Sequence, residues 1–462
     1  MFTSIEAAAR AIRKGEISAA ELTAAALDRV AGVDGKIRAL AYVDSEGARQ
    51  AAQRLDEELR RGVDRGPLHG IPVVLKDNIE TQGVPTTNGS RVFAGRSSRY
   101  DATVWRRLRE AGAVLVGKAG MNEVAWGADT PPTGNPWDTE RTPGVSSGGS
   151  GAAVAAGLCY AALGTDTGGS VRIPGACCGV VGLKPTYGRV SRYGVLPLTW
   201  SLDHVGPLAR RVKDAAVVLQ AIAGSDDRDP TSASNAVPEF QATIDDGVEG
   251  LRIGLNEEYF FERLEPEVES TVRRAIEHLE TLGARVLPVR IPHVRFGLAA
   301  VLAIELASAS SAHDTYLRDP DARAKYTDPV RLLLEAGRFV FAADYLKAQR
   351  LRRLLIEGAR SAFRSVDILV TPTLPLVAWK KGEELVRIQG HEEHVLHACL
   401  RYTCPFNLMG LPAVTVPCGF SNGLPIGLQI AGKPFGEATI LRVAQAYEAS
   451  TAWHTRTPIT EG

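Results

Sequence analysis

The 462-residue chain has no excess of either charge: Lys+Arg and Asp+Glu number 53 each. A balanced chain offers no net attraction to phosphate backbones or acidic bilayers, so neither a nucleic-acid nor a membrane partner is expected. Cysteine is sparse, six residues in all (Cys159, Cys177, Cys178, Cys399, Cys404 and Cys418), and no two stand in C-x-x-C spacing. That spacing argues against zinc ribbons and thioredoxin-like redox sites; buried free thiols in a reducing cytoplasm are the expectation. Histidine is scattered except at His391, His394 and His397, whose spacing of three is not the i, i+4 pairing of a zinc helix. No metal and no cofactor is therefore expected. The opening Met1-Phe-Thr-Ser-Ile-Glu lacks the basic stretch and apolar run of a signal peptide. Residues 152–163, the most apolar stretch read from the sequence, are too few to span a bilayer.

Glycine is abundant, 46 residues, and it clusters where serine does. Residues 141–187 read R-T-P-G-V-S-S-G-G-S-G-A-A-V-A-A-G, then G-T-D-T-G-G-S-V-R-I-P-G, then G-V-V-G-L-K-P-T-Y. Ser146, Ser147, Ser150 and Ser170 are thus wrapped in glycines that let backbone amides approach a common point. The short-chained apolar run at 152–162 between them predicts a buried helix. A flexible linker would need neither that run nor Asp166 and Arg172. A phosphate loop would need Lys before Ser or Thr after the glycines, and none is there. Gly144-x-Ser146-x-Gly148 has the spacing of a nucleophile elbow, for which His454 would be a candidate base, but an elbow needs a strand leading into the serine. Residues 131–143 hold four prolines and no apolar run, so that strand is missing.

These residues resemble the amidase signature enzymes. The resemblance extends upstream to G-I-P-V-V-L-K-D-N at 70–78 and Y-D-A-T-V at 100–104, and downstream to C-P-F-N-L-M-G-L-P-A-V at 404–414 and L-P-I-G-L-Q-I at 424–430. It implies hydrolysis of C–N bonds by a Ser–cis-Ser–Lys triad. Ser170 matches the acyl-forming nucleophile, Ser146 the bridging serine and Lys76 the base. The family has glycine before the bridging serine, where this chain has Val145.

Ile71 to Leu75 and 113–116 are short apolar runs that predict buried strands, with 101–109 helical between them; short links of this kind imply parallel pairing and a sheet covered on both faces. Residues 251–255, 266–282 and 285–289 repeat the strand–helix–strand form, and 366–370, 412–416 and 426–430 read as further strands. Thr3-x-x-Glu6 and Ser18-x-x-Glu21 predict capping boxes, and Asp44 a third N-cap. The expected architecture is α/β, a single α/β/α sandwich around a large mixed β-sheet. Residues 1–65 form an N-terminal helical layer, and 66–462 the core, with a helical cap at about 296–364.

Amide hydrolysis needs a deprotonated nucleophile, a held oxyanion and a proton for the leaving amine. A lysine serves as base only when neutral, so the Lys76 pKa must fall by ~2–3, and desolvation at the end of Val73-Val74-Leu75 would lower it. Strand alternation sends Asp77 to the opposite face, where it does not hold the ammonium form. If Val145–Ser146 is cis, Ser146 Oγ is aimed as a relay between Lys76 and Ser170. Consecutive N–H groups of Thr167, Gly168, Gly169 and Ser170 are the candidate oxyanion hole. Asp166 and Arg172 are expected to fix the loops. Trp126, Gly127, Ala128 and Leu400 are candidate substrate contacts by position alone.

The leading expectation is a stand-alone amidase, monomeric or homodimeric, acting on small neutral or aromatic carboxylic amides or carbamates through an acyl-enzyme on Ser170. The alternative is the glutaminase subunit of a tRNA-dependent amidotransferase, which the chain also resembles, including F-A-A-D-Y-L-K-A-Q-R at 341–350. Two departures from that glutaminase favour the first reading. Ala128-Asp-Thr-Pro-Pro stands where it has Ser-Thr-Glu-Asn, and Leu400 where it has an acidic partner for the glutamine ammonium.

Overall fold

Val73 and Leu75 point into one apolar cluster and Val74 into another; Leu115 and Leu163 likewise oppose Val114, Val116 and Ala162. Period-two alternation with both faces buried makes a central sheet covered on each side. In the computed structural model, which describes residues 3–458, that sheet is the backbone of the molecule. Met1, Phe2 and residues 459–462 lie outside the described residues, and with them the start of the opening stretch and the outer ends of the 1–65 and 66–462 spans.

The strands are β1 (Leu40–Val43), β2 (Pro72–Lys76), β3 (Val114–Ala119), β4 (Ala161–Asp166), β5 (Val181–Lys184), β6 (His204–Ala209), β7 (Arg252–Leu255), β8 (Arg285–Pro288), β9 (Ile368–Pro372), β10 (Leu385–Ile388), β11 (His391–His394), β12 (Ala413–Ser421) and β13 (Leu424–Gly432). Eleven of them form one sheet in the order β1-β3-β2-β4-β6-β5-β12-β13-β9-β7-β8. The β2–β3, β2–β4, β7–β8 and β7–β9 pairs are parallel, and the others antiparallel. The sheet is mixed, as expected. The N-terminal segment contributes helices Ile5–Arg13, Ala19–Ile37 and Ser45–Arg60, and also β1, which pairs with β3 at the sheet edge.

Ser18 and Glu21 form the full capping box, and the Asp44 side chain accepts from Gly47 N. Two other expected caps differ. Ser4, not Thr3, caps the first helix. Asp101, the residue expected to cap the 101–109 helix, is drawn away to Gln82 N and Arg109, leaving Ala102 at the start of Thr103–Glu110. The alanine-rich run at 152–162 is also not one helix. The helix spans Gly148–Ala155, Gly157 takes a left-handed φ of 72°, and the remaining residues enter β4. Short-chained apolar residues suit a buried strand as well as a buried helix, and the glycine decides between them.

Residues 297–362 form consecutive helices, chiefly Gly297–Ala312, Asp328–Ala336 and Ala342–Ala362. Val294–Ala312 is long and apolar enough to cross a membrane, but half of it is buried inside the fold. The histidine cluster is not a helix face. β10 and β11 form a hairpin whose last residue, His394, caps the Val395–Leu400 helix. Among the described residues no cluster of His, Cys, Asp or Glu could hold a metal, and all six cysteines are free and buried.

Candidate active site

β2 and β4 are parallel neighbours, with Leu75 beside Leu163, so both leave the sheet at one edge. Carboxyl ends of parallel strands are where α/β folds gather ligand loops. Lys76 ends β2, and Thr165 and Asp166 end β4. β6 runs antiparallel to β4 with His204 opposite Asp166, which brings Asp203 to the same edge.

The Lys76 side chain is fully buried. Its Nζ donates to Ser146 Oγ at 2.7 Å and to Thr165 Oγ1 at 2.8 Å. Burial pushes its pKa down to about 7, against the opposing pull of Asp203 and Asp166. Asp77 turns away, as strand alternation predicts. It pairs with Lys118 at 3.6 Å and accepts from Thr87 N at 3.0 Å.

Ser146 sits in the loop that opens the Gly148–Ala155 helix. The loop is stapled to β4 by Ser147, whose Oγ donates to Thr165 O at 3.0 Å and accepts from Thr165 N at 3.2 Å. A Cβ on Gly149 would stand 2.4 Å from Gly120 O and 2.6 Å from Ala39 O, so only glycine lets this helix start lie on the end of β3. The expected cis bond at Val145–Ser146 is absent; among the described residues the cis bond is Pro131–Pro132. A non-proline cis bond costs about 3–4 kcal/mol. The contact with Lys76 is made without it, because Ser147 and Gly149 already hold the loop.

Beyond β4 the chain curls tightly. Val171 N and Arg172 N both turn to Asp166 Oδ2, at 3.1 Å and 3.4 Å. Gly169 adopts φ 149°, and a Cβ there would meet Thr403 Oγ1 at 2.4 Å. Among the described residues no acceptor takes the N–H of Thr167, Gly168, Gly169 or Ser170. Four consecutive donors without a protein acceptor thus lead up to the Ser170 hydroxyl, as an anion-binding nest would require.

The curl is held from behind. Arg172 bonds Asp166 with Nη2 at 2.9 Å and Nε at 3.0 Å, Gln429 Oε1 at 2.7 Å and Asn407 Oδ1 at 2.6 Å. Burial alone would raise the Asp166 carboxyl, but Arg172 and its neighbours hold it well below the usual carboxylate range. Asn407 and Gln429 come from the two downstream stretches noted above, so motifs far apart in sequence meet on one guanidinium. Replacing Arg172 by leucine leaves Asp166 buried and unpaired. It should cost about 3–5 kcal/mol of stability, read as a lower guanidinium midpoint.

Leu400 Cδ2 lies 3.0 Å from the point a Cβ on Gly168 would occupy. Trp126 is packed into a cluster with Phe93, Met121, Leu198, Ala309 and Tyr326. Gly127 takes φ 136° against Asn122, and Ala128 is partly buried against the main core. His454 lies with Thr3, Cys159, Tyr160 and Arg210 around a separate cavity. His454→Ala should leave turnover within about three-fold, since an ordinary substitution away from the site acts only through small stability changes.

Four groups at this site were missed in the sequence. Thr165 and Asn78 bond each other at 3.2 Å beside Lys76. Asp203 accepts from Thr167 Oγ1 at 2.6 Å and Leu198 N at 3.0 Å. Glu305 lies by Gly168. Asn78 and Thr165 lie inside quoted motifs, and Glu305 is the lone charge in the Gly297–Ala312 helix, a signal that could have exposed it.

The family described as Amidase matches residues 21–441. The chain belongs to it. Its fold, an amidase-signature α/β sheet, and its class of activity, hydrolysis of C–N bonds of amides, follow from that membership. The chain is 46% identical over 473 residues to a glutamyl-tRNA(Gln) amidotransferase subunit of Moorella thermoacetica (strain ATCC 39073 / JCM 9320), covering 97% of this chain and 96% of that one. The solved structure of a glutamyl-tRNA(Gln) amidotransferase subunit from Thermotoga maritima superposes with a TM-score of 0.80 at 38% identity, over 94% of this chain and 92% of that one. Another, from "an unexpected vestigial protein complex" that "reveals the evolutionary origins of an s-triazine catabolic enzyme", superposes with a TM-score of 0.92 at 34% identity, over 97% and 98% of the two chains. The expectation of no nucleic-acid partner is corrected by these amidotransferase relatives. Net charge is a sum over the whole chain, and it says nothing about a protein whose nucleic acid is handled within a larger assembly.

Proposed function

We propose that this amidase is the glutamine-hydrolysing subunit of a tRNA-dependent amidotransferase, working in the cytoplasm. What supports the chemistry is the neutral-prone Lys76 Nζ, 2.7 Å from Ser146 Oγ and bonded to Thr165, just ahead of the open nest. What supports the substrate is the 46% identity to a glutamyl-tRNA(Gln) amidotransferase subunit over nearly the whole length.

In this reading Ser170 Oγ attacks the carboxamide carbon. Its proton passes through Ser146 Oγ to the free pair of Lys76 Nζ. Thr165 Oγ1 accepts one of the amine's N–H bonds and keeps that pair aimed at Ser146. The carbonyl oxygen takes up negative charge among the N–H groups of residues 167–170. The proton then returns from Lys76 to the leaving nitrogen, ammonia departs, and water cleaves the Ser170 ester by the same relay run again. Asn78 orients Thr165, and Asp203 fixes Thr167. The helices at 296–364 cap the site, and residues 1–65 form a packing layer.

Glutamate and ammonia should appear when the purified chain, alone and combined with the partner subunits of a related amidotransferase, is given glutamine. Transfer of that ammonia to glutamyl-tRNA in the combined sample is the expected outcome. Absence of any glutamine turnover, with ready cleavage of neutral aryl amides, would overturn the reading. A second reading, the stand-alone amidase of neutral or aromatic amides, is favoured by one observation: Leu400 puts an apolar methyl over Gly168.

A further inference from the structure

Within the Gly297–Ala312 helix the buried face consists of small or apolar residues and serines, except for Glu305, which is 4% exposed. Among the described residues its carboxyl has neither a hydrogen-bond donor nor an ion-pair partner. A buried carboxyl without a partner is costly, and it is retained where something else supplies one. Its Oε1 lies 3.5 Å from the point where a Cβ on Gly168 would stand, on the same side as Leu400 Cδ2. Glu305 therefore looks onto the backbone of the nest itself. Burial, with Asp203 and Asp166 nearby, pushes its pKa up to about 8. The neighbouring cations do not answer it: Arg172 is committed to Asp166, and Lys76 is depressed toward its neutral form.

We infer that Glu305 is a specificity-determining residue whose carboxylate receives an ammonium group on the acyl part of the substrate, over Gly168 and beside the apolar wall of Leu400. The inference rests on the glutamine reading for its natural substrate. Four single bonds of about 1.5 Å each separate the amide carbon of glutamine from its α-nitrogen, a span that carries the ammonium past the nest from Ser170. The carboxylate that Leu400 fails to supply comes from a different helix. An arriving ammonium needs only to displace a proton from a carboxyl whose neutral and charged forms are close in energy near neutral pH.

The experiment compares two pairs of amides with wild type and Glu305→Gln. The first pair is glutamine and its analogue lacking only the α-amino group, glutaric acid monoamide. The second is 4-aminobutanamide, whose ammonium also stands four bonds from the amide carbon, and butanamide. Expected for the variant is a rise of about 100-fold or more in KM for the member of a pair that carries the ammonium, with KM and kcat for the member without it within about three-fold. Equal effects on both members of a pair would overturn the inference while leaving the glutamine reading standing. If wild type ignores glutamine yet prefers 4-aminobutanamide to butanamide, and Glu305→Gln abolishes that preference, the glutamine reading falls and Glu305 keeps its role. No preference for a cationic acyl chain in wild type would overturn the inference outright. Leu400→Asp in the Glu305→Gln background adds an independent readout. It should restore a low KM for the cationic amide, and a collapsed fold could not do that.

Discussion

Ser170→Ala is expected to lower turnover of any amide by about a million-fold, the scale seen when one member of a concerted catalytic unit is removed. The reason is geometric as well as chemical. Ser170 is the hydroxyl that stands at the end of the unpaired N–H row, so a carbonyl it attacked would place its oxygen among those donors. In the proposed mechanism, removing Oγ removes the atom that would form the ester, whereas the nest and the Arg172 network remain. The variant should therefore fold normally and still bind substrate. Labelling with a fluorophosphonate and mapping the adduct by mass spectrometry checks the assignment directly. The adduct belongs on Ser170 in the wild type and should vanish in the variant. An adduct on Ser146 would transfer the nucleophile to the other loop and restore the elbow reading.

Lys76→Ala should cost about ten-thousand-fold or more in kcat, because the proton relay proposed through Ser146 would then end on nothing. Lys76→Arg should not rescue it. A guanidinium stays charged at working pH and cannot accept the proton. Sign follows from the burial-lowered pKa of about 7. Below it Lys76 is an ammonium without a free pair, and above it a neutral amine. The kcat/KM of the wild type should accordingly rise with pH through a midpoint near that value and level off on the alkaline side. A profile flat from pH 5.5 to 8.5, or an active arginine variant, would remove Lys76 from the role of base.

The sequence by itself determined a good deal here. Val73-Val74-Leu75 and Val114-Leu115-Val116 are apolar on both faces, which demands a sheet covered on both sides, and β2 and β3 obey that demand. Lysine at the end of such a strand, with Asp77 forced by alternation to the other face, already implied a desolvated, unpaired amine. These are local rules: side-chain period, burial and charge within a few residues. Three things lay beyond them. Gly157 ends the helix and returns an alanine-rich run to the sheet, a choice between two conformations that the same apolar residues fit equally well. Ser146 reaches Lys76 across a Val145–Ser146 bond that is not cis, in a loop that Ser147 and Gly149 hold against β4 and the end of β3, contacts which no local pattern announces. Glu305 meets Gly168 only because a helix from a distant part of the chain, packed on the Ala342–Ala362 and Cys404–Leu408 helices, comes to lie beside the loop after β4. Such a meeting is decided by how helices pack on one another, and packing depends on the summed shape of many side chains rather than on the spacing of any few.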